Sequence, residues 1–175
     1  MVQNSFFLKE PFVDILEEPK KNSNISSQLI YGESFKILSK KNNYFKIKTS
    51  YDKYSGFIKK IDSYKKFNPT HKVGILKARI YLGNKREKSN KFLPFTSKIQ
   101  ILKRNQNFIM YKKGKWLRSK DIFPIQKKNT DFVKIFKSFL NCKYKWGGKT
   151  FEGIDCSALL QIFYKFNNNF FPRDT

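Results

Sequence analysis

The chain has 175 residues, of which 39% are hydrophobic and 17% are aromatic, including 19 Phe. This apolar content excludes a wholly disordered chain and suits one large domain or two to three small ones. The formal net charge is +24, and the basic residues are spread along the whole chain. Such a charge permits binding to nucleic acid, an anionic membrane or acidic cell-wall polymers, whereas a codon bias toward Lys and Asn would explain it without any function.

The N-terminal 16 residues carry Glu10 and Asp14 and lack a basic segment followed by a long apolar run. We therefore predict no signal peptide, and no run of 18 apolar residues predicts a membrane span. If Met1 is the authentic start, a cytoplasmic protein is expected. The two cysteines are too few for a disulfide framework and fit a reducing compartment.

The first region, residues 1–67, shows short β-prone runs separated by turn-forming clusters such as 21–24 and 41–43. The predicted strands are 12–16, 28–31, 35–38, 44–48 and 56–58. Several short strands at this spacing predict a small β-barrel.

The second region, residues 68–126, partly repeats the first. Its segments 99–102, 107–110 and 115–118 correspond to 35–38, 44–47 and 56–59. A repeat of about 60 residues made of short strands indicates tandem domains, so a second small barrel is predicted.

A helix is predicted over 131–140, after a polar linker, with Thr130 as its N-cap. Its apolar stripe consists of Phe132, Val133, Phe136, Phe139 and Leu140. This aromatic-rich stripe is typical of a core, and we expect it to pack against the next helix. Cys142, at the end of this pattern, is interpreted as a packing residue.

A second helix is predicted to begin at Cys156, because Leu159, Leu160 and Phe163 follow it at i+3, i+4 and i+7. Asp155 is a suitable N-cap, and Trp146-Gly147-Gly148 upstream supplies a tight turn. The helix N-terminus favours a thiolate on Cys156, while the adjacent Asp155 carboxylate opposes it. Cys156 is therefore a candidate nucleophile, although a lone Cys on an apolar helix face is also commonly a small buried residue.

Three blocks around this helix resemble the NlpC/P60 family of papain-like cysteine peptidases, which cut bacterial cell-wall peptides. The blocks are Tyr144-x-Trp146-Gly147-Gly148, residues 153–157 (Gly-Ile-Asp-Cys-Ser) and residues 172–175 (Pro-Arg-Asp-Thr). Ala158 departs from the family, which usually has Gly there. The family also has a His and a further polar residue after the cysteine, but no His follows Cys156 here. Residues 127–175 are accordingly interpreted as a partial NlpC/P60 domain, and this chain is predicted to be inactive by itself.

The first region resembles bacterial SH3-like domains at Tyr31-Gly32-Glu33 and at residues 54–58 (Tyr-Ser-Gly-Phe-Ile). Two such domains before an NlpC/P60 domain are similar to the γ-D-glutamyl-L-diamino acid endopeptidases, also called dipeptidyl-peptidase VI. That resemblance implies that an N-terminal module roofs the active site and restricts it to peptides with a free amino terminus. Glu33 and Tyr54 would be its contacts, although a turn and a barrel core explain these residues as well.

The resemblance also implies roles for the site residues. Cys156 would be the nucleophile, with its own N–H part of the oxyanion site, and Tyr144 would contribute to the oxyanion or substrate site. Asp155 and Ser157 would hold the free amine of an L-alanyl residue, and Thr175 would contact substrate. His71, the one histidine in the chain, is interpreted as a surface or linker residue. No motif for a metal or a phosphate-binding loop is present, so no cofactor is expected.

The predicted fold class is α+β, with two small SH3-like β-barrels followed by the helical N-terminal part of a papain-like NlpC/P60 domain. The leading function is hydrolysis of γ-D-glutamyl-diamino acid bonds in peptidoglycan stem peptides, by a monomer acting on peptides with a free N-terminal L-Ala. The alternative is a non-catalytic SH3-like module that binds cell-wall peptides. Nucleic-acid binding rests only on the charge and lacks an aromatic–basic signature, so no nucleic-acid partner is expected.

Overall fold

The computed structural model describes residues 5–173 of the chain. Within that range the chain forms seventeen β-strands, two α-helices and one short 3₁₀ helix. The strands form four sheets, of seven, five, three and two strands. Most of the fold is therefore β-structure, and the helices lie near its C-terminal end.

The first sheet is built from residues 6–64. Its strands are β1 (Phe6–Leu8), β2 (Phe12–Leu16), β3 (Ile25–Ile30), β4 (Ser34–Lys41), β5 (Tyr44–Thr49), β6 (Ser55–Lys59) and β7 (Ser63–Tyr64). They lie in the order β3-β2-β6-β5-β4-β1-β7 with antiparallel pairing. In β5, Phe45 and Ile47 are buried whereas Lys46 and Lys48 are exposed, the alternation of a strand with one face on a core.

The second region forms two sheets over one core. Its strands are β8 (His71–Val73), β9 (Lys77–Leu82), β10 (Glu87–Pro94), β11 (Lys98–Ile99), β12 (Lys103–Arg104), β13 (Phe108–Lys112), β14 (Lys115–Arg118) and β15 (Ile122–Pro124). The five-stranded sheet has the order β10-β9-β14-β13-β12, and the three-stranded sheet has the order β11-β8-β15. Tyr31, which follows β3, is buried in the core of this second region. That contact joins the two regions.

The C-terminal region comprises α1 (Phe132–Lys137), the β16 (Lys149–Thr150) and β17 (Gly153–Ile154) hairpin, and α2 (Cys156–Phe166). The two helices share a core to which the second region contributes Phe95. The Phe136 and Phe163 rings contact each other edge to face, with centroids 6.0 Å apart. The predicted packing of the first helix against the second is confirmed.

The predicted fold class, α+β with two SH3-like β-barrels and the helical part of a papain-like domain, is wrong. The described chain is mostly β, and its α-helices are limited to 6 and 11 residues. No closed barrel forms within residues 5–173, since β3 and β7 end opposite sides of the first sheet and the second region is divided between two sheets.

The error has a physical reason. Strand periodicity predicts which side chains face a core, but it does not predict whether edge strands pair with each other. Here the edge strand β3 faces the C-terminal region, where the Lys149 N–H donates to Gln28 Oε1 at 2.7 Å.

The individual strands predicted for the first region are confirmed as β2 to β6, whereas β1 and β7 are too short to give a pattern. In the second region, 107–110 and 115–118 correspond to β13 and β14, but 99–102 is strand only at its start. The domain boundaries at 67 and 126 stay a prediction.

The predicted helix over 131–140 is shorter than expected. Asp131, not Thr130, is the N-cap of α1, since its side chain accepts the Lys134 N–H at 2.9 Å. The helix ends at Lys137, and Ser138 Oγ donates back to the Ile135 carbonyl at 2.6 Å. Leu140 consequently lies outside the helix and is 76% exposed.

Candidate active site

Cys156 is the first residue of α2, and its side chain is exposed. The helix turns its buried face, with Ala158, Ile162 and Phe166, toward the shared core. The cysteine lies at the positive end of the helix dipole, where the Ala158 N–H is capped by the Asp155 side chain. Cys156 is thus a surface thiol at a helix N-terminus rather than a small buried packing residue.

Asp155 is the N-cap of α2, as predicted, and its carboxylate is the centre of a hydrogen-bond network. The oxygen Oδ1 accepts from the Ala158 N–H at 2.9 Å, from Ser157 Oγ at 3.2 Å and from Arg173 at 2.7 Å. The oxygen Oδ2 accepts from the Gly147 N–H at 3.0 Å and from the second amino group of Arg173. Arg173 therefore binds Asp155 through both of its terminal nitrogens.

This network determines the charge next to the thiol. Burial by itself raises the pKa of Asp155, but the hydrogen bonds from Arg173, Ala158 and Ser157 and the charge of Arg173 lower it to a net value below normal. The carboxylate is consequently ionised at neutral pH, and the Arg173 guanidinium compensates its charge. The compensated carboxylate therefore opposes a thiolate less than the unpaired Asp155 charge that the sequence predicted.

The segment before α2 folds back so that its glycine turn lies on the first sheet. The Ile154 N–H donates to the Lys143 carbonyl at 3.0 Å, and the Gly148 N–H donates to the Lys145 carbonyl at 2.9 Å. Gly147 has a φ of +74°, and a Cβ there would lie 2.9 Å from the Ile25 side chain and carbonyl. Only glycine fits this turn, which brings the site against β3.

A pocket of about 320 Å³ opens in front of the thiol. Its lining residues are Ser26, Tyr54, Tyr144, Trp146, Asp155, Cys156, Ser157 and Arg173. Ser26 and Tyr54 belong to the first sheet and its loops, whereas the other residues come from the C-terminal region. The pocket is therefore shared between the two regions, with the Tyr144 and Trp146 side chains 68% and 69% exposed at its edge.

Comparisons with known proteins identify the fold. A family profile, the bacterial dipeptidyl-peptidase SH3 domain, matches residues 15–62. The fold is similar to the crystal structure of an NlpC/P60 family protein from Bacillus cereus, with a TM-score of 0.79 over 97% of this chain and 74% of that chain, at 17% identity. This chain has the NlpC/P60 fold with an SH3-like domain. The family resemblance predicted from the motif blocks is confirmed.

Two other solved structures align less well. They are NlpC2 and NlpC1 from Trichomonas vaginalis, at 20% and 19% identity, each with a TM-score of 0.35. The alignments cover 98% and 99% of this chain and 69% and 66% of those chains. No curated protein sequence matches the chain.

The NlpC/P60-like fold brings five of the predicted site residues together around one pocket: Tyr54, Tyr144, Asp155, Cys156 and Ser157. Glu33 lies elsewhere, in a buried ion pair with Lys165. Thr175 lies outside the described residues. The catalytic and substrate-binding roles of all these residues stay predictions.

His71 does not line this pocket. It lies on β8, where its Nδ1 pairs with the Thr70 hydroxyl at 2.9 Å and its Nε2 is 3.4 Å from the Arg104 guanidinium. Burial and the nearby charge of Arg104 lower the pKa of His71. Since it is the one histidine in the sequence, no imidazole lies beside Cys156 in the described part of the chain.

Two residues that support the site were not predicted from the sequence. Arg173 was recognised only as part of a motif block, and its ion pair with Asp155 was not predicted. The second is Asp52, whose buried carboxylate accepts from Lys149 Nζ at 2.8 Å and from Gln161 Nε2 at 3.1 Å. No local signal in the sequence marks such distant pairs.

Within residues 5–173 there is no cluster of three or more His, Cys, Asp or Glu side chains placed to hold a metal ion. In the same range, neither helix has the length and apolar character needed to cross a membrane.

Proposed function

We propose that this chain provides the thiol side of a cysteine peptidase site for bacterial cell-wall peptides. The observation that carries the proposal is the exposed Cys156 at the N-terminus of α2, facing a pocket that the SH3-like region closes with Ser26 and Tyr54. An exposed thiol at a helix N-terminus beside a pocket is a suitable position for the nucleophile of an acyl transfer.

In the proposed reaction the Cys156 thiolate attacks the carbonyl carbon of a γ-D-glutamyl–diamino acid amide in an L-Ala-γ-D-Glu-diamino acid peptide. The carbonyl oxygen becomes an oxyanion, and the Cys156 N–H is one donor toward it. The amine of the diamino acid leaves after protonation, and water then releases L-Ala-D-Glu from the thioester. The SH3-like region limits the length of peptide that the pocket accepts.

The residues around Asp155 prepare this chemistry without taking part in bond changes. Arg173 and Ser157 hold the Asp155 carboxylate, and that carboxylate fixes the first turn of α2 through the Ala158 N–H. The position of the Cys156 sulfur therefore depends on the Asp155–Arg173 pair. Asp155 and Arg173 act as positioning residues in this proposal.

A proton acceptor for the thiol is the part of the reaction that the described residues do not supply. This observation favours a second candidate function, in which the pocket binds cell-wall peptides without cutting them. The two candidates differ in the reactivity of Cys156 toward a bound peptide, because only a nucleophile has its sulfur aimed at the γ-carbonyl carbon.

An affinity label separates the two functions. L-Ala-γ-D-glutamyl chloromethyl ketone places a reactive carbon at the position of the scissile bond. We expect it to alkylate Cys156 at least about tenfold faster than chloroacetone does, since the two share one reactive group and only the bound peptide gains from proximity. Mass spectrometry of tryptic peptides would locate the adduct, and excess L-Ala-γ-D-Glu-diaminopimelate should protect the thiol.

Cys142 is the internal control, because it is half-buried and donates to the Phe151 carbonyl at 3.8 Å. Equal labelling of the two cysteines, or labelling of Cys156 that the peptide does not slow, would contradict the peptidase proposal. Peptide binding without accelerated labelling would support the binding module. We expect this chain not to hydrolyse the peptide, and turnover that Cys156→Ala abolishes would show that a base is present.

A further inference from the structure

A second cavity, of about 440 Å³, lies where the first sheet, the second region and the end of α2 meet. Its walls include Leu29, Glu33, Tyr51, Lys98, Lys165 and Phe170. In the described part of the chain, none of its lining residues is shared with the pocket around Cys156. Lys165 is nine residues after Cys156 on α2, so the two backbone positions are about 13 Å apart at 1.5 Å per residue.

The acidic group of this cavity is already neutralised. One oxygen of Glu33 pairs with Lys165 Nζ, and both side chains are over 90% buried. The other oxygen accepts the Ile30 N–H at 2.6 Å. Glu33 and Lys165 therefore contribute no net charge to the cavity.

Lys98 is the remaining ionised group, and the fold fixes its backbone. Its N–H donates to the Tyr31 carbonyl at 3.1 Å. The neighbouring Gly32, with a φ of +76°, approaches so closely that a Cβ there would lie 2.6 Å from the Lys98 carbonyl oxygen. Only a glycine permits this contact, which holds β11 against the first sheet.

The ammonium of Lys98 has no hydrogen-bond or ion-pair partner among the described residues. Burial and the charge of Lys165 lower the pKa of Lys98, and Glu33 offsets only part of this effect. The cavity thus holds one uncompensated positive charge. Lys98 is only partly exposed, so its ammonium has less contact with water than a surface lysine, and an anion in the cavity would form a charge-assisted hydrogen bond with it.

Two aromatic residues, Tyr51 and Phe170, also line the cavity. The Tyr51 hydroxyl donates to the Asn169 carbonyl at 3.0 Å and accepts the Phe171 N–H at 3.2 Å, which fixes the segment after α2. Burial raises the pKa of Tyr51 to about 12, so its hydroxyl stays protonated at neutral pH. The Tyr51 and Phe170 rings lie with centroids 5.9 Å apart.

We propose that this cavity is a second binding site, for a small organic anion with one carboxylate and a planar or apolar body. The carboxylate pairs with Lys98 Nζ, and the body lies against Tyr51 and Phe170. The volume is within the range of about 300–1,000 Å³ that small-molecule sites occupy. This site does not depend on the chemistry of Cys156, so the binding proposal and the peptidase proposal can be tested independently.

Benzoate and benzamide are suitable probes, because they share a shape and differ in charge. We would titrate each into the ¹⁵N-labelled chain and follow the amide resonances of Tyr51, Lys98 and Phe170. Benzoate should shift them saturably, and benzamide should bind at least about tenfold more weakly, as expected for loss of a charge-assisted hydrogen bond. Equal binding of the two compounds, or benzoate shifts that do not saturate or spread over the lysine-rich surface, would overturn the proposal.

Two variants test whether Lys98 binds the carboxylate. Lys98→Met should lower benzoate affinity by about tenfold or more, whereas Lys103→Met, on the exposed strand β12, should bind benzoate as the parent chain does. Equal losses in the two variants would show a general charge effect and overturn the assignment to Lys98. If Lys98→Met fails to fold, the benzoate–benzamide comparison on the parent chain still decides. A Cys156→Ala chain should bind benzoate unchanged.

Discussion

Asp52 and Lys149 lie 97 residues apart in the sequence, yet their carboxylate and ammonium groups form a buried ion pair at 2.8 Å. Gln161 of α2 donates to the same carboxylate oxygen, and the Thr49 hydroxyl donates to the other. Asp52 lies in the loop between β5 and β6, two residues before Tyr54. The pair therefore fixes the SH3-like side of the pocket to the hairpin and helix that carry Cys156.

Removing one partner of this pair should destabilise the fold strongly. Asp52→Asn leaves the Lys149 ammonium buried without a counter-charge, and we expect the free energy of unfolding to fall by about 3–5 kcal/mol. Urea unfolding followed by Trp fluorescence measures the change. The double variant Asp52→Asn, Lys149→Met should recover much of the loss, because no buried charge is then left unpaired.

The matched control is Asp62→Asn, which breaks the Lys9–Asp62 pair at 2.8 Å. The Asp62 side chain is 78% exposed, so this variant should lose no more than about 1 kcal/mol. Equal losses for Asp52→Asn and Asp62→Asn would show that burial does not strengthen the Asp52–Lys149 pair.

The two buried carboxylates also predict a loss of stability in acid. Burial raises the pKa of Asp52, but the Lys149 charge and hydrogen bonds lower it to a net value well below normal. The pKa of Asp155 is likewise lowered, because the bonds from Arg173 outweigh its burial. Since the folded pKa values lie below those of the unfolded chain, stability is fully present above about pH 4 and falls as the pH drops further.

Urea midpoints measured between pH 2.5 and 6 test this expectation. The parent chain should lose stability progressively below about pH 4, and Asp52→Asn should show a shallower slope there. If the stability of the parent chain does not change in that pH range, or if Asp52→Asn shows the same dependence of stability on pH, ionisation of Asp52 does not stabilise the fold.

Local patterns in the sequence predicted local structure well. The alternation in β5 and the N-cap at Asp155 depend on neighbours within a few residues, and both are confirmed. The same patterns located α2 but not its buried face, since Leu160 is 40% exposed while Gln161 is buried. Packing against α1 and Phe95, together with the hydrogen bond from Gln161 to Asp52, determines which face of α2 is covered.

Long-range pairs were beyond the sequence analysis. Glu33 was predicted at a turn or a substrate contact, but it pairs with Lys165, 132 residues away. Arg173 and Asp155 are 18 residues apart, and α2 and the irregular segment after it lie between them. Which charges meet depends on how the sheets stack, and this is also why the closed barrels were wrongly predicted.

Arg173 should affect the reactivity of the thiol. Arg173→Met leaves the Asp155 carboxylate without its counter-charge next to Cys156. The uncompensated negative charge of Asp155 then disfavours a thiolate on Cys156. We expect alkylation of Cys156 by iodoacetamide at pH 7 to slow by about fivefold, which corresponds to a Coulomb term near 1 kcal/mol at a wet site. Stopped reactions analysed by mass spectrometry give the rate at each cysteine.

Arg118→Met is the control for loss of a positive charge, since Arg118 lies on β14 in the second region. Its Cys156 alkylation rate should match the parent chain, and Cys142 should be unchanged in both variants. A faster Cys156 in Arg173→Met would mean that the loop opens instead, and unchanged kinetics would mean that Arg173 does not compensate Asp155.

Asp155 has two possible roles toward a peptide with a free amino terminus, contact with the amine or positioning of Cys156. The resemblance predicts that its carboxylate contacts the amine, and this stays a prediction. In the structure the carboxylate accepts five hydrogen bonds, which exceeds the roughly four lone-pair sites that a carboxylate offers. A positioning role for Asp155 is therefore favoured, and Asp155→Asn should weaken the binding of free-amine and N-acetylated peptides by the same factor.

Isothermal titration of L-Ala-γ-D-Glu-diaminopimelate and its N-acetyl form decides between the two roles. If Asp155 only positions Cys156, the ratio of the two dissociation constants should be the same in the parent chain and in Asp155→Asn. If the carboxylate contacts the amine, Asp155→Asn should cost the free-amine peptide about 1.5–3 kcal/mol more than the acetylated one. Ser157→Ala is the matched variant, because Ser157 Oγ bonds both Asp155 and Arg173 and its loss should likewise leave the ratio unchanged.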